Sequence, residues 1–211
     1  MNNSVQSAIR LVTASFRALL VLTLVTGVVY PLLITGVAQA AFHDKANGSI
    51  VKVEGKEVGS SLIGQSFDLP KKDPNDEEEA ARPDPKWFQP RPSNSGYDPL
   101  ATGSSQLGAS DPTLLKAVKD AKKQVAEFNG VPESEVPKDA VTGSSSAIDP
   151  HISPAYAEIQ VKRVAEANGL DEAQVAKLVK EHTEGRTAGF LGEPHVNVLE
   201  LNIALKKLAR S

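Results

Sequence analysis

The sequence predicts an α+β protein. One N-terminal transmembrane helix precedes a single soluble domain with a small β-hairpin or sheet and about four helices. Ala18 to Phe42 is a run of 25 residues without a charge. Ile50 to Ile63 alternates as two short strands do. After residue 110, four stretches repeat apolar residues at helical spacing, each behind a capping residue.

As a helix, the uncharged run reaches roughly 37 Å, enough for a hydrocarbon core of about 30 Å with some tilt. Thr23, Thr26, Thr35 and Gln39 are its polar members and suit helix–helix contact. Pro31 is expected to kink it, as prolines in membrane helices do. Arg10 and Arg17 precede the run and the first acid, Asp44, follows it. The charge bias makes residues 1–17 cytoplasmic, 18–42 the transmembrane helix and 43–211 extracytoplasmic. A cleaved signal peptide is the rival, because Ala38-Gln39-Ala40 is an A-x-A site. The run exceeds the 7–15 apolar residues or so of a signal peptide, which favours an uncleaved anchor in contact with membrane lipid.

In the domain, Ile50 to Val53 and Val58 to Ile63 read as strands around Glu54-Gly55-Lys56. Residues 68–86 form an acidic, Pro-rich surface loop. Eight of the 14 prolines fall between Pro70 and Pro112, so that region is neither regular helix nor central strand. Extended chain wrapping the domain is expected there, anchored by Trp87, Phe88 and Tyr97. The first helix is capped by Asp111, opened by Pro112 and closed by Gly130, with Leu114, Leu115, Val118, Ala121, Val125 and Phe128 as its apolar stripe. The second runs from Pro154 to about Asn168. The third starts at Asp171 and buries Val175, Leu178 and Val179. The last starts at Asn197 and buries Val198, Leu201, Leu205 and Leu208.

A net charge of -3 with no basic cluster argues against a nucleic-acid partner. The absence of cysteine removes thiol catalysis, thiolate metal sites and disulfides. No phosphate-loop, GxGxxG, GxSxG or HExxH pattern occurs, and the four histidines are not at ligand spacing. One apolar span cannot enclose an ion pathway. No catalytic or metal-binding residue is therefore assigned, and no directly bound cofactor is expected.

One stretch stands out, Asp149-Pro150-His151-Ile152-Ser153-Pro154. It ends a Gly/Ser-rich loop and opens a helix, with Ser153 as N-cap. A hydrolytic Asp149/His151/Ser153 set is disfavoured, because adjacent i, i+2 residues rarely converge on one atom. Four residues are candidates for docking a partner or bracing the loop: Asp149 and His151 on the loop, Gln160 and Arg163 on the helix it caps.

Several ordered motifs resemble one family. They are Gly59 to Gln65, Phe88 to Ser93, Gly103 to Ser110, Val141-Thr142 with its Gly/Ser run, Asp149 to Pro154, Gln160 to Ala165, His182-Thr183-Glu184 and Gly189 to Asn202. Together with the single span they are similar to the C subunit of the Kdp-type potassium-transporting P-type ATPase. The resemblance implies a membrane complex with three partners: a channel-like potassium-selecting subunit, a P-type subunit that hydrolyses ATP, and a small single-span subunit. It implies an accessory role in assembly, and a catalytic-chaperone role that raises the hydrolysing subunit's ATP affinity. ATP and potassium then belong to the complex. The family carries an ATP-binding label, which conflicts with the topology above. An extracytoplasmic domain is on the wrong side of the bilayer for ATP, so any effect on ATP affinity is indirect. The alternative reading is a secreted or anchored extracellular binding domain unrelated to transport.

Overall fold

The structure is a computed structural model that describes residues 2–73, 76 and 79–210. It divides into two units, Met1–Ser49 and Ile50–Ser211. The acidic positions Glu77 and Glu78, and Pro74, lie outside the described residues.

The first unit is helical: α1 (Asn2–Leu24), a π-helical segment (Val25–Val29), α2 (Tyr30–Ala41) and the short α3 (His43–Ala46). The helix thus starts well before Ala18 and carries Arg10 and Arg17. Ser4–Ala41 is long and apolar enough to cross a membrane. The π-turn has a cause in the sequence. Pro31 has no N–H to give the carbonyl four residues back, and its ring crowds that carbonyl. The preceding turn widens, and the Tyr30 N–H donates to the Val25 carbonyl instead. The Thr26 hydroxyl donates to the Leu22 carbonyl at 2.7 Å. Phe42 lies just past the helix, with φ -139°, and caps it.

The second unit opens with the antiparallel pair β1 (Ile50–Val53) and β2 (Lys56–Ser60). Glu54 and Gly55 turn between them with φ of 53° and 78°, the two left-handed residues of a tight hairpin. The second strand is earlier than the expected Val58 to Ile63. It stops because Ser60 starts a turn, its carbonyl accepting from the Ile63 N–H and its Oγ from the Leu62 N–H. The four long helices follow: α4 (Pro112–Asn129), α5 (Pro154–Asn168), α6 (Glu172–Glu181) and α7 (Val198–Leu208). Their caps are those expected. Asp111, Ser153, Asp171 and Asn197 accept from first-turn N–H groups, and Gly130 and Gly169 close α4 and α5 in the left-handed region.

The sequence reading missed a second sheet. Its strands are β3 (His151–Ile152), β4 (Thr183–Glu184) and β5 (His195–Asn197), all antiparallel in the order β3-β5-β4. Strands of two or three residues are too short to show an alternation. His151 and Ile152, read as loop, are therefore strand. The register separates the two faces. Ile152 and Val196 enter the core, while His151, Asn197, His195 and Glu184 share the other face.

The core lies between α5, α6, α7 and this sheet. Phe88, Ile152, Val164, Val175, Val196, Leu201 and Leu205 are fully buried in it. The expected stripe of α4 is not fully inside: none of its six residues is buried, Val125 packs at the core's edge and Leu115 is 56 % exposed, while the buried positions of the helix are Ala126 and Asn129. Leu205→Ala should cost about 2–5 kcal/mol, since it opens a cavity in a closed core. Leu115→Ala should cost less than about 0.5 kcal/mol, as exposed substitutions do. Chemical denaturation of the two variants measures both.

Candidate functional site

The described residues of the Pro-rich region before α4 form no helix and no regular strand, as expected, but turns at Pro85–Lys86, Gly96–Tyr97 and Pro99–Leu100 interrupt the extended chain, and the segment from Pro85 to Ser93 is held by side chains. Such a segment needs partners for its N–H and C=O groups, and no neighbouring strand supplies them here. Two carboxamides do so. Asn202, on α7, accepts the Phe88 N–H at 2.9 Å and donates to the Phe88 carbonyl at 2.9 Å. Gln160, on α5, accepts the Gln89 N–H at 2.6 Å and donates to the Gln89 carbonyl at 3.1 Å. Each amide thus imitates one rung of a β-ladder.

Arg163, one turn along α5, completes the clamp. It donates to the carbonyls of Pro85 at 2.6 Å and Trp87 at 3.0 Å. It also donates to Gln160 Oε1 at 2.7 Å and Asn129 Oδ1 at 2.9 Å. Its guanidinium lies 4.4 Å above the Phe128 ring centre, an added cation–π contact. Burial pulls its pKa down to about 10, so it stays charged at neutral pH. Gln160 is 0 % exposed and Arg163 8 %. These two are therefore closed to a partner in the molecule as it stands.

Asp149 and His151 are placed differently. They are half-buried at the surface, and Asp149 is the hub. It receives Arg91 Nη1 at 3.0 Å and the His151 N–H at 3.0 Å. His151 Nδ1 lies 3.5 Å from the same carboxylate. Burial pushes the Asp149 carboxyl up, but the bonds from His151 and the Arg91 charge outweigh it, so its pKa falls below the ordinary value. Arg91 also donates to the carbonyls of Thr142 and Gly143, fastening the Gly/Ser loop. Gly64 backs the loop from inside. Its N–H donates to the Ile148 carbonyl at 2.8 Å. A Cβ there would lie 2.7 Å from the Asp149 carbonyl oxygen, so only glycine fits. On the outer side, the His151 ring meets His195 edge-on at 4.4 Å.

The four candidate residues thus form two groups. Gln160 and Arg163 join the clamp, and Asp149 and His151 join an ion-paired loop. Asn202, Asn129, Gln89, Arg91 and His195 complete these groups and were missed. Phe88 and Asn202 are 114 positions apart, and no local pattern pairs them. Ser153 is not free for nucleophilic work: its Oγ caps α5 through the Tyr156 N–H and donates to Asp139.

Residues 12–207 match the family model of the K+-transporting ATPase c chain, KdpC. The chain belongs to this family. It is 54 % identical to the potassium-transporting ATPase KdpC subunit of Streptomyces coelicolor, covering 99 % of this chain and 97 % of that one. Identity is 46 % to the Kineococcus radiotolerans KdpC subunit, covering 99 % and 100 %. It is 44 % to that of Mycobacterium bovis, covering 90 % and 94 %. The resemblance carried by the ordered motifs is borne out.

The clamp predicts a stability effect. Gln160→Ala should cost about 1–3 kcal/mol or more, because it strands two backbone groups and one Arg163 N–H in the interior. Denaturation of this variant beside Asn202→Ala checks it, and either cost below about 0.5 kcal/mol would sink the clamp. Asp149 predicts a pH effect with a fixed sign. Its pKa is lower folded than unfolded, so its stabilisation is complete above the ordinary carboxylate range. That stabilisation is lost as pH falls through the folded value. The stability gap between wild type and Asp149→Asn should be level above about pH 5 and shrink below it. A gap that widens on acidification would contradict the assignment.

Proposed function

We propose that the chain is a non-catalytic accessory subunit of an ATP-driven, high-affinity potassium-uptake complex. The observation that carries this is the match over residues 12–207, which takes in the apolar helix and the domain together. The relatives that align along nearly their whole length bear the name of a potassium-transporting ATPase subunit. The partners are a channel-like potassium-selecting subunit, a P-type ATP-hydrolysing subunit and a small single-span subunit. Residues 18–42 anchor the chain in the cell membrane, residues 1–17 are cytoplasmic and residues 43–211 lie outside. The supporting charges are Arg10 and Arg17 before the span and Asp44 after it.

The role is to assemble the complex and to act as a catalytic chaperone that raises the ATP affinity of the hydrolysing subunit. With the domain outside and ATP inside, that effect is a coupling free energy passed through membrane subunits. On this reading the domain acts on the nucleotide through its partner subunits and not by contact. Gln160 and Arg163 brace the domain from within. Asp149 and His151, accessible and preorganised by Arg91, belong to the surface that meets a partner.

The test is the complex purified with and without this chain. Without it, the KM for ATP should rise and less of the complex should survive purification intact. An unchanged ATP KM together with unchanged assembly would sink the proposal. Direct labelling of the domain by a photoreactive ATP analogue would sink the indirect route alone.

A further inference from the structure

The loop between β4 and β5 is built to hold apolar side chains in solvent. Phe190 is 71 % exposed and Leu191 54 %. Phe190 is the most exposed Phe, Tyr or Trp among the described residues. The loop is nonetheless closed and internally bonded. The Thr187 N–H donates to the Leu191 carbonyl at 2.8 Å and the Leu191 N–H to the Thr187 carbonyl at 3.0 Å. The Gly189 N–H donates to the Arg186 carbonyl at 3.0 Å. Ala188, Gly189 and Gly192 adopt φ of 54°, 83° and 76° to make the turn. Arg186 and Glu193 pair at 2.6 Å across its base. Exposing a large apolar pair is unfavourable, and fixing the loop that carries it forgoes the entropy a loose loop would keep. Both costs suit a preorganised anchor for a binding surface.

The surroundings of the tip say which surface. The loop joins Glu184 to His195, which share one face of the sheet with His151. An apolar tip with a polar flank is the anatomy of a protein interface. Charge separates a protein partner from a bilayer. Residues 185–194 hold one cation, Arg186, and one anion, Glu193, and these pair with each other. The next charge, Glu184, is an acid with a 65 % exposed side chain. A loop with no spare cation and an acid at its base is poorly matched to an anionic lipid surface.

We propose that Phe190 and Leu191 are the anchor by which this domain docks into an uncharged apolar pocket on a membrane subunit of its ATPase, with Glu184, His195 and His151 as the polar flank. The inference rests on the accessory-subunit reading above and names the docking residues that reading leaves open.

The experiment uses the full chain, co-expressed with its complex and recovered through a tag on the hydrolysing subunit. Phe190→Asp should cut the fraction of this chain recovered by about tenfold, the loss of one interface hot spot. Phe190→Leu should keep it. Unchanged melting of both variants separates docking from folding. Wild-type retention with equal retention of Phe190→Asp would overturn this inference and leave the subunit reading intact. Failure of the wild-type chain to co-purify would overturn both. A third measurement addresses lipid and self-association. Phe190→Trp fluorescence, in vesicles holding this chain alone, should not be quenched by brominated acyl chains. Such quenching, or a concentration-dependent dimer lost in Phe190→Asp, would assign the tip elsewhere and overturn the proposal.

Discussion

The domain depends on one arrangement: two carboxamides and a guanidinium that stand in for the missing neighbours of an extended strand. Pro85, Pro90 and Pro92 deny the segment around Phe88 any helical solution. Phe88 is nevertheless fully buried, as one of the largest side chains of the core. Burying the ring drags the backbone of residues 87–89 out of water, and that backbone then needs partners. Asn202, Gln160 and Arg163 provide them. The apolar gain and the polar obligation are thus met at the same positions.

A polar cluster of this sort is stable only when complete. Among the described residues, no buried side-chain nitrogen or oxygen lacks a hydrogen-bond partner. Gln160 Oε1 serves both the Gln89 N–H and Arg163, so the amide cannot be turned over without stranding a donor. The cation is spread over four oxygens and one ring face, which lets it stay charged where no carboxylate is bonded to it. The rigidity passes outward. Two residues beyond the clamp, Arg91 reaches Asp149 and fixes the Gly/Ser loop, and β3 then continues into α5. The accessible groups, Asp149 and His151, are presented by a frame that begins with buried ones.

Local signals were legible and distant ones were not. Each of the four long helices of the second unit announced itself through a cap: Asp111, Ser153, Asp171 and Asn197 each precede an apolar run. The Glu54-Gly55 hairpin was visible for the same reason, since its turn chemistry is local. The sheet joining β3, β5 and β4 was invisible, because its strands are only two or three residues long and β3 pairs with β5 from a distant part of the chain. The helix start at Asn2 escaped because the uncharged run was read for membrane crossing, and helix formation does not require the absence of arginine. Of the site residues, Asp149 and His151 were conspicuous as a turn next to a cap. Gln160 and Arg163 were singled out, but their burial was not foreseeable: a helix surface written as sequence does not say which polar positions face a strand from another region.

The ladder has a further consequence in time. Phe88 is synthesised long before Asn202, and its backbone remains unpaired on that side until α7 is made. Folding of the domain therefore cannot finish progressively from one end; it closes late, over a long loop. A chain interrupted before Val198 would expose Phe88 and carry open backbone groups, the features that proteases and chaperones recognise. Only a chain made through Asn202 can therefore give the Phe88 backbone these partners.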